Sequence, residues 1–76
     1  MSEFYRTRYK TFNLIKILRD EKGISQTKLA ENVGLSRNAL ASIERGQAEP
    51  SYRTAYCISR YFGKSVEEVF IIQKIR

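Results

Sequence analysis

Apolar side chains recur along the middle of the chain at three- and four-residue spacing, in short blocks set apart by glycine or proline. That spacing puts one apolar stripe on each of five helices. In the first block Leu14, Ile15 and Leu18 share a side, Asn13 is placed to cap the helix, and Gly23 ends it as a left-handed residue. The second runs from Gln26 to Val33 behind Ser25, with Leu29, Ala30 and Val33 inward and Gly34 at its close. Leu35 plugs the turn. Ser36 caps a third helix, Arg37 to Arg45, whose apolar residues are Leu40 and Ile43. After the loop QAEP, Ser51 caps a fourth, Tyr52 to Phe62, with Ala55, Ile58 and Phe62 inward and Ser59 beside them. Ser65 caps a short fifth helix at VEEV.

The two ends follow a different period. In FYRTRYKTF, Tyr5, Thr7, Tyr9 and Thr11 alternate with Arg6, Arg8 and Lys10, and VFIIQKIR begins a second β-like run. Period two in β-favouring residues predicts strands. A short antiparallel ribbon formed by the termini would bring both under one face of the helices. Such a ribbon is marginal alone and needs packing against the helices or another subunit. The alternation supports a strand over residues 9–12 and leaves residues 1–4 loose; the rival reading of residues 1–12 is a flexible basic arm.

A chain of 76 residues makes one small domain, and 42% hydrophobic residues is enough for a packed core. No apolar run approaches the ~20 residues that cross a bilayer. The segment MSEFYRTRYK lacks the apolar block of a secretory signal, so a cytoplasmic location with no membrane partner is expected. One cysteine and no histidine leave little basis for a disulfide, a zinc site or the usual general base, and no cofactor is expected. The balance of fourteen Lys and Arg against eight Asp and Glu, +6 overall, points to an anionic partner.

Charge alone does not choose that partner; residues 25–46, SQTKLAENVGLSRNALASIERG, narrow the choice. Ala30 is small where the next helix would cross. Gly34 supplies the positive φ of a sharp turn. Leu40 and Ile43 pin the third helix onto the first two. Two short helices joined this tightly form a helix-turn-helix, with the third helix proud of the surface. Ser36, Arg37, Asn38 and Ser42 lie off its apolar stripe. Arginine suits guanine, asparagine suits adenine and serine suits either. The N-termini of the second and third helices present N–H groups to phosphate.

Residues 13–70 resemble the lambda-repressor-like (XRE or Cro-type) helix-turn-helix family. The residues that carry the likeness are SQTKLAENVGLSRNALASIERG, then EPS, then YFGKSVEEVF. The resemblance implies a five-helix DNA-binding domain that regulates transcription, with double-stranded DNA as partner and no catalytic group. It implies that Gln26 contacts phosphate and braces a side chain of the recognition helix. By the same likeness Ser36, Arg37, Asn38 and Ser42 read the major groove, and Arg45 and Gln47 touch the backbone. Arg19 and Glu44 match a partly buried ion pair that orients the third helix.

Some positions depart from the family pattern. Glu49 stands where a phosphate contact is common, which weakens backbone affinity there. Ile17 is usually polar. On the fourth helix Cys57 reads as a small buried hydrophobe rather than a redox sensor, and Arg53, Arg60 and Lys64 read as solvated.

One recognition helix contacts few base pairs, so selective binding argues for a homodimer with recognition helices about 34 Å apart on an inverted repeat. Val66, Val69, Phe70, Ile71 and Ile72 are the expected interface, being too apolar for a free end. Such a dimer would occupy an operator overlapping a promoter and exclude polymerase as a repressor, or occasionally recruit it, tuned by concentration, operator competition or a regulatory protein partner. A helix-turn-helix acting as a protein-interaction module is the rival reading, and the Arg, Asn and Ser face favours DNA over it. An enzyme is remote, with no catalytic cluster and little room for a pocket.

Overall fold

Four serines start four of the five helices, each by the same bond. The Ser25, Ser36, Ser51 and Ser65 hydroxyl oxygens accept from the backbone N–H of Lys28, Ala39, Thr54 and Glu68. Each satisfies a donor that the first helical turn leaves unpaired, at about 1 kcal/mol per cap. The computed structural model describes residues 9–75. Within them the order is β1 (Tyr9–Asn13), α1 (Ile15–Lys22), α2 (Gln26–Val33), α3 (Arg37–Glu44), α4 (Tyr52–Tyr61), α5 (Val66–Val69) and β2 (Phe70–Lys74). The strand-like alternation read at Tyr5 to Arg8, and the loose residues 1–4, lie outside the described residues.

The apolar stripes meet in one core. Ile15, Leu29, Leu40, Ile58 and Val69 are fully buried, one from each helix. Leu18, Ala30, Ile43, Ala55 and Phe70 complete it, with Leu14, Val33, Leu35 and Phe62 partly buried around them. Burying a large aliphatic side chain contributes about 1.5–3 kcal/mol, so this core carries most of the fold's stability. Gly34 makes the α2–α3 turn at φ 77°, a value that strains any residue with a Cβ.

The termini form the two-stranded antiparallel ribbon. Phe12 faces Ile71 and Asn13 faces Phe70 across it. The first helix differs from its sequence reading. Asn13 ends β1 instead of flanking a helix from Leu14, and α1 begins at Ile15. Its Oδ1 still accepts the Ile15 N–H, so the capping bond forms from strand geometry. The third helix stops at Glu44, with Arg45 as its cap, and the fourth at Tyr61. Cys57, read from sequence as buried, is exposed, because the inward side of α4 is taken by Ala55, Ile58 and Ser59. Ile17 is 56% exposed.

Ser59 is fully buried, and its Oγ has no hydrogen-bond partner. An unpaired buried hydroxyl costs about 1–3 kcal/mol. Ser59→Ala is therefore expected to raise the melting temperature by several degrees, at ~4–8 °C per kcal/mol for a domain of this size. A lower melting temperature in Ser59→Ala would show that the hydroxyl is satisfied.

At the other end of the polar inventory, Glu68 closes a reciprocal cap. Ser65 N–H donates to its Oε1 at 2.8 Å, and this bond holds the Glu68 carboxyl below its ordinary value. A lowered carboxyl pKa means that stability from this cap is present at neutral pH and lost as pH falls through the lowered value.

Candidate nucleic-acid interface

The exposed N-terminal half of α3 carries the side chains that can reach bases. Ser36, Arg37 and Asn38 are exposed, and Ser42 is half-buried one turn beyond Asn38. Asn38 and Ser42, four apart, share a side. Ser36 has a second duty. Its oxygen caps α3 by accepting from Ala39, which leaves the hydroxyl hydrogen as its free donor.

Behind this face runs a chain of four side chains. Arg19 Nε donates to Glu44 Oε2 at 2.7 Å and Nη2 donates to Oε1 at 3.1 Å, a two-pronged pair. Both side chains are about nine-tenths buried. The bond to Glu44, opposed by burial, pushes the Arg19 guanidinium above its already high value. Arg19 Nη1 also donates to the Ile24 carbonyl, tying α1 to the loop before α2. Gln26 Nε2 donates to Glu44 Oε1 at 3.1 Å, and Arg37 Nη1 donates to Gln26 Oε1 at 3.2 Å. The chemistry admits only that amide orientation: a carboxylate accepts and a guanidinium donates. The buried carboxylate of α3 thus aims the Gln26 amide, and the amide aims Arg37. The sequence-predicted residues Arg19, Gln26, Arg37 and Glu44 are brought together as one network.

Arg45 and Gln47 sit at the far end of α3. Arg45 Nε and Nη2 both donate to Gln47 Oε1 at 3.1 Å, which positions an exposed guanidinium beside the loop. The N–H groups of Gln47 and Ala48 fold back onto the Ser42 carbonyl.

The apolar cluster at the C-terminal end is divided. Val69 is 0% and Phe70 8% exposed within a single chain. Of the residues expected at an interface, these two have little surface to offer a second copy, because both side chains belong to the core cluster. Val66 is partly buried against the core. Ile71 and Ile72 are exposed, Ile72 at 66%, and Phe12 stands exposed opposite Ile71.

Asn13 is a residue whose full role the sequence did not show. Its Nδ2 donates to the Ile43 and Glu44 carbonyls at 3.1 and 3.4 Å, across thirty residues. The signal available in sequence, an Asn before an apolar helix, pointed only to the local cap. No helix among the described residues is long and apolar enough to cross a membrane.

A helix-turn-helix family model matches residues 15–69. An uncharacterized HTH-type transcriptional regulator of Methanocaldococcus jannaschii is 34% identical over 61 residues, covering 80% of this chain and 92% of that protein. The HTH-type transcriptional regulator YgzD of Bacillus subtilis is 40% identical over 62 residues, 82% of this chain and 94% of its own. Among solved structures, the DNA-binding domain of the P22 C2 repressor matches with a TM-score of 0.65 at 28% identity, over 70% of each chain.

Proposed function

The chain belongs to the helix-turn-helix family of transcriptional regulators, and on that premise we propose that it is a repressor that binds an inverted-repeat operator as a homodimer. The observation that carries the reading is the exposed Arg37, Asn38 and Ser42 face of α3, with Arg37 aimed through Gln26 by a buried carboxylate. A solvated surface arginine needs no such support. Arg37 and Asn38 read base edges in the major groove, Ser36 and Ser42 assist, and Gln26, Arg45 and Gln47 hold phosphates. The +6 charge favours a cytoplasmic, nucleic-acid-facing role and makes affinity fall steeply with salt as phosphate contacts release counterions.

Residues 1–76 act in this reading as a single DNA-binding unit, with residues 13–70 as its core and β1 and β2 as its ribbon. The ribbon joins two copies through Phe12, Ile71 and Ile72, with Val66 at the edge. This surface is apolar, exposed and attached to the reading helix through the core. The P22 C2 repressor is named as a repressor, and its likeness supports the direction of control proposed here. Occupancy of the operator excludes polymerase, and a regulatory protein partner or competition at the site relieves it. Sedimentation equilibrium tests the assembly. A dimer at low micromolar concentration is expected, and a monomer persisting into the high micromolar range would contradict the proposed two-fold contact.

A further inference from the structure

We infer that Asn13 is a positioning residue that clamps the terminal ribbon to the C-terminal end of the reading helix, so that the ribbon fixes how α3 is presented to DNA. The inference rests on the operator-binding reading and adds a device to it.

The Asn13 side chain bonds to α1 and α3, and the backbone of Asn13 and Leu14 ties in the ribbon and α5. Asn13 pairs with Phe70 at the end of the ribbon. Its Oδ1 accepts the Ile15 N–H at the start of α1. Its Nδ2 donates to the Ile43 and Glu44 carbonyls, at the end of α3. The next residue, Leu14, donates its N–H to the Val69 carbonyl at the α5–β2 junction, at 3.0 Å. The last carbonyls of a helix have no partner within it, so an outside donor there holds the helix end in place.

Glu44 is thereby fixed twice. Asn13 holds its carbonyl, while Arg19 and Gln26 hold its carboxylate. The second set leads on to Arg37. A turn of α3 about its axis would break both. An open cleft of about 550 Å³, which Asn13, Ile43 and Glu44 help to line, lies between the ribbon and the α3–α4 loop. Beside the buried Ile43 and Phe70 of the core, hydrogen bonds to one asparagine join the ribbon to the end of α3.

Asn13→Asp separates the two ends of the side chain. The aspartate keeps an acceptor for the Ile15 N–H and loses the donor. It also sets a negative charge against the carbonyls of a helix C-terminus, which is unfavourable there. Asn13→Ser keeps a small acceptor without the charge; its one hydroxyl hydrogen, a bond nearer the backbone than Nδ2, cannot serve both α3 carbonyls, so it shows whether weakening the donor end without a charge is enough.

Two readouts on the full chain decide the matter. The first is amide hydrogen exchange at Arg45, Gly46 and Gln47, whose N–H groups close the end of α3. Exchange about tenfold faster than in the wild type is expected, with α2 and α4 unchanged, since a lost hydrogen bond is worth roughly a factor of ten. The second is the ratio of selected-duplex to random-duplex affinity, expected to fall about tenfold while random-duplex affinity holds. Unchanged exchange at those amides overturns the clamp. Faster exchange with an unchanged affinity ratio overturns its part in reading DNA. The exchange measurement uses no DNA, so a wild type without sequence preference counts against the operator reading while exchange still decides the clamp.

Discussion

Glu44→Ala is expected to lower stability by about 3–5 kcal/mol and to weaken DNA binding with it. The carboxylate is the hub of the interior. It accepts two bonds from Arg19 and one from Gln26, and the Arg19 and Glu44 side chains are only 10% and 6% exposed. Removing it strands a guanidinium that cannot lose its proton, in a place where water reaches it poorly. That unpaired charge, more than the lost attraction, sets the size of the effect. A domain of this length holds roughly 4–11 kcal/mol of total stability, so the variant should approach unfolding at ambient temperature. Glu44→Gln keeps the shape and one acceptor and should fall between the two. Replacing both partners with apolar residues, Arg19→Met with Glu44→Leu, should cost less than Glu44→Ala alone. Chemical denaturation gives the stabilities. Unchanged stability in Glu44→Ala would show that the pair does not hold α3.

Arg37→Ala is expected to cost about 1–3 kcal/mol at the preferred duplex, leave the melting temperature alone and relax choice at particular base pairs. Arg37 is exposed, so its loss opens no cavity and strands no buried charge. What is lost is a bidentate donor suited to guanine, held in advance by Gln26. Holding it in advance lowers the ordering cost on binding. Gln26→Ala should weaken all sequences more evenly through loss of the phosphate contact proposed for it, with a smaller loss of choice because Arg37 is no longer held. Competition binding against duplexes substituted base by base separates the two variants. An Arg37→Ala protein with the same sequence preference as the wild type would remove Arg37 from the reading set.

Local chemistry made much of the fold legible. A serine before four of the five apolar blocks announces a helix start, and SVEE spells a reciprocal cap that Ser65 and Glu68 form. Gly34 marks its turn because few other residues adopt that φ. Cys57 was misread as buried, although it lies off the Ala55 and Ile58 stripe and the helical period alone puts it outside. The long-range partners were harder. Nothing near Asn13 announces the Ile43 and Glu44 carbonyls, because pairing across thirty residues depends on how the ribbon meets the bundle. Val69 and Phe70 looked like an uncovered apolar end for the same reason. Spacing does not show that their side chains turn into the helical core. The Arg19, Glu44 and Gln26 placement was suggested by family likeness rather than by spacing, and the structure adds the direction of each bond.

Selection from a random duplex library at near-physiological salt, followed by sequencing of the bound fraction, tests the central claim most directly. Sequence-specific reading by a two-fold pair of α3 helices predicts enrichment of an inverted repeat with half-site centres about 10 base pairs apart. Bound duplexes with no enriched sequence, or no retained duplex at all, would contradict it.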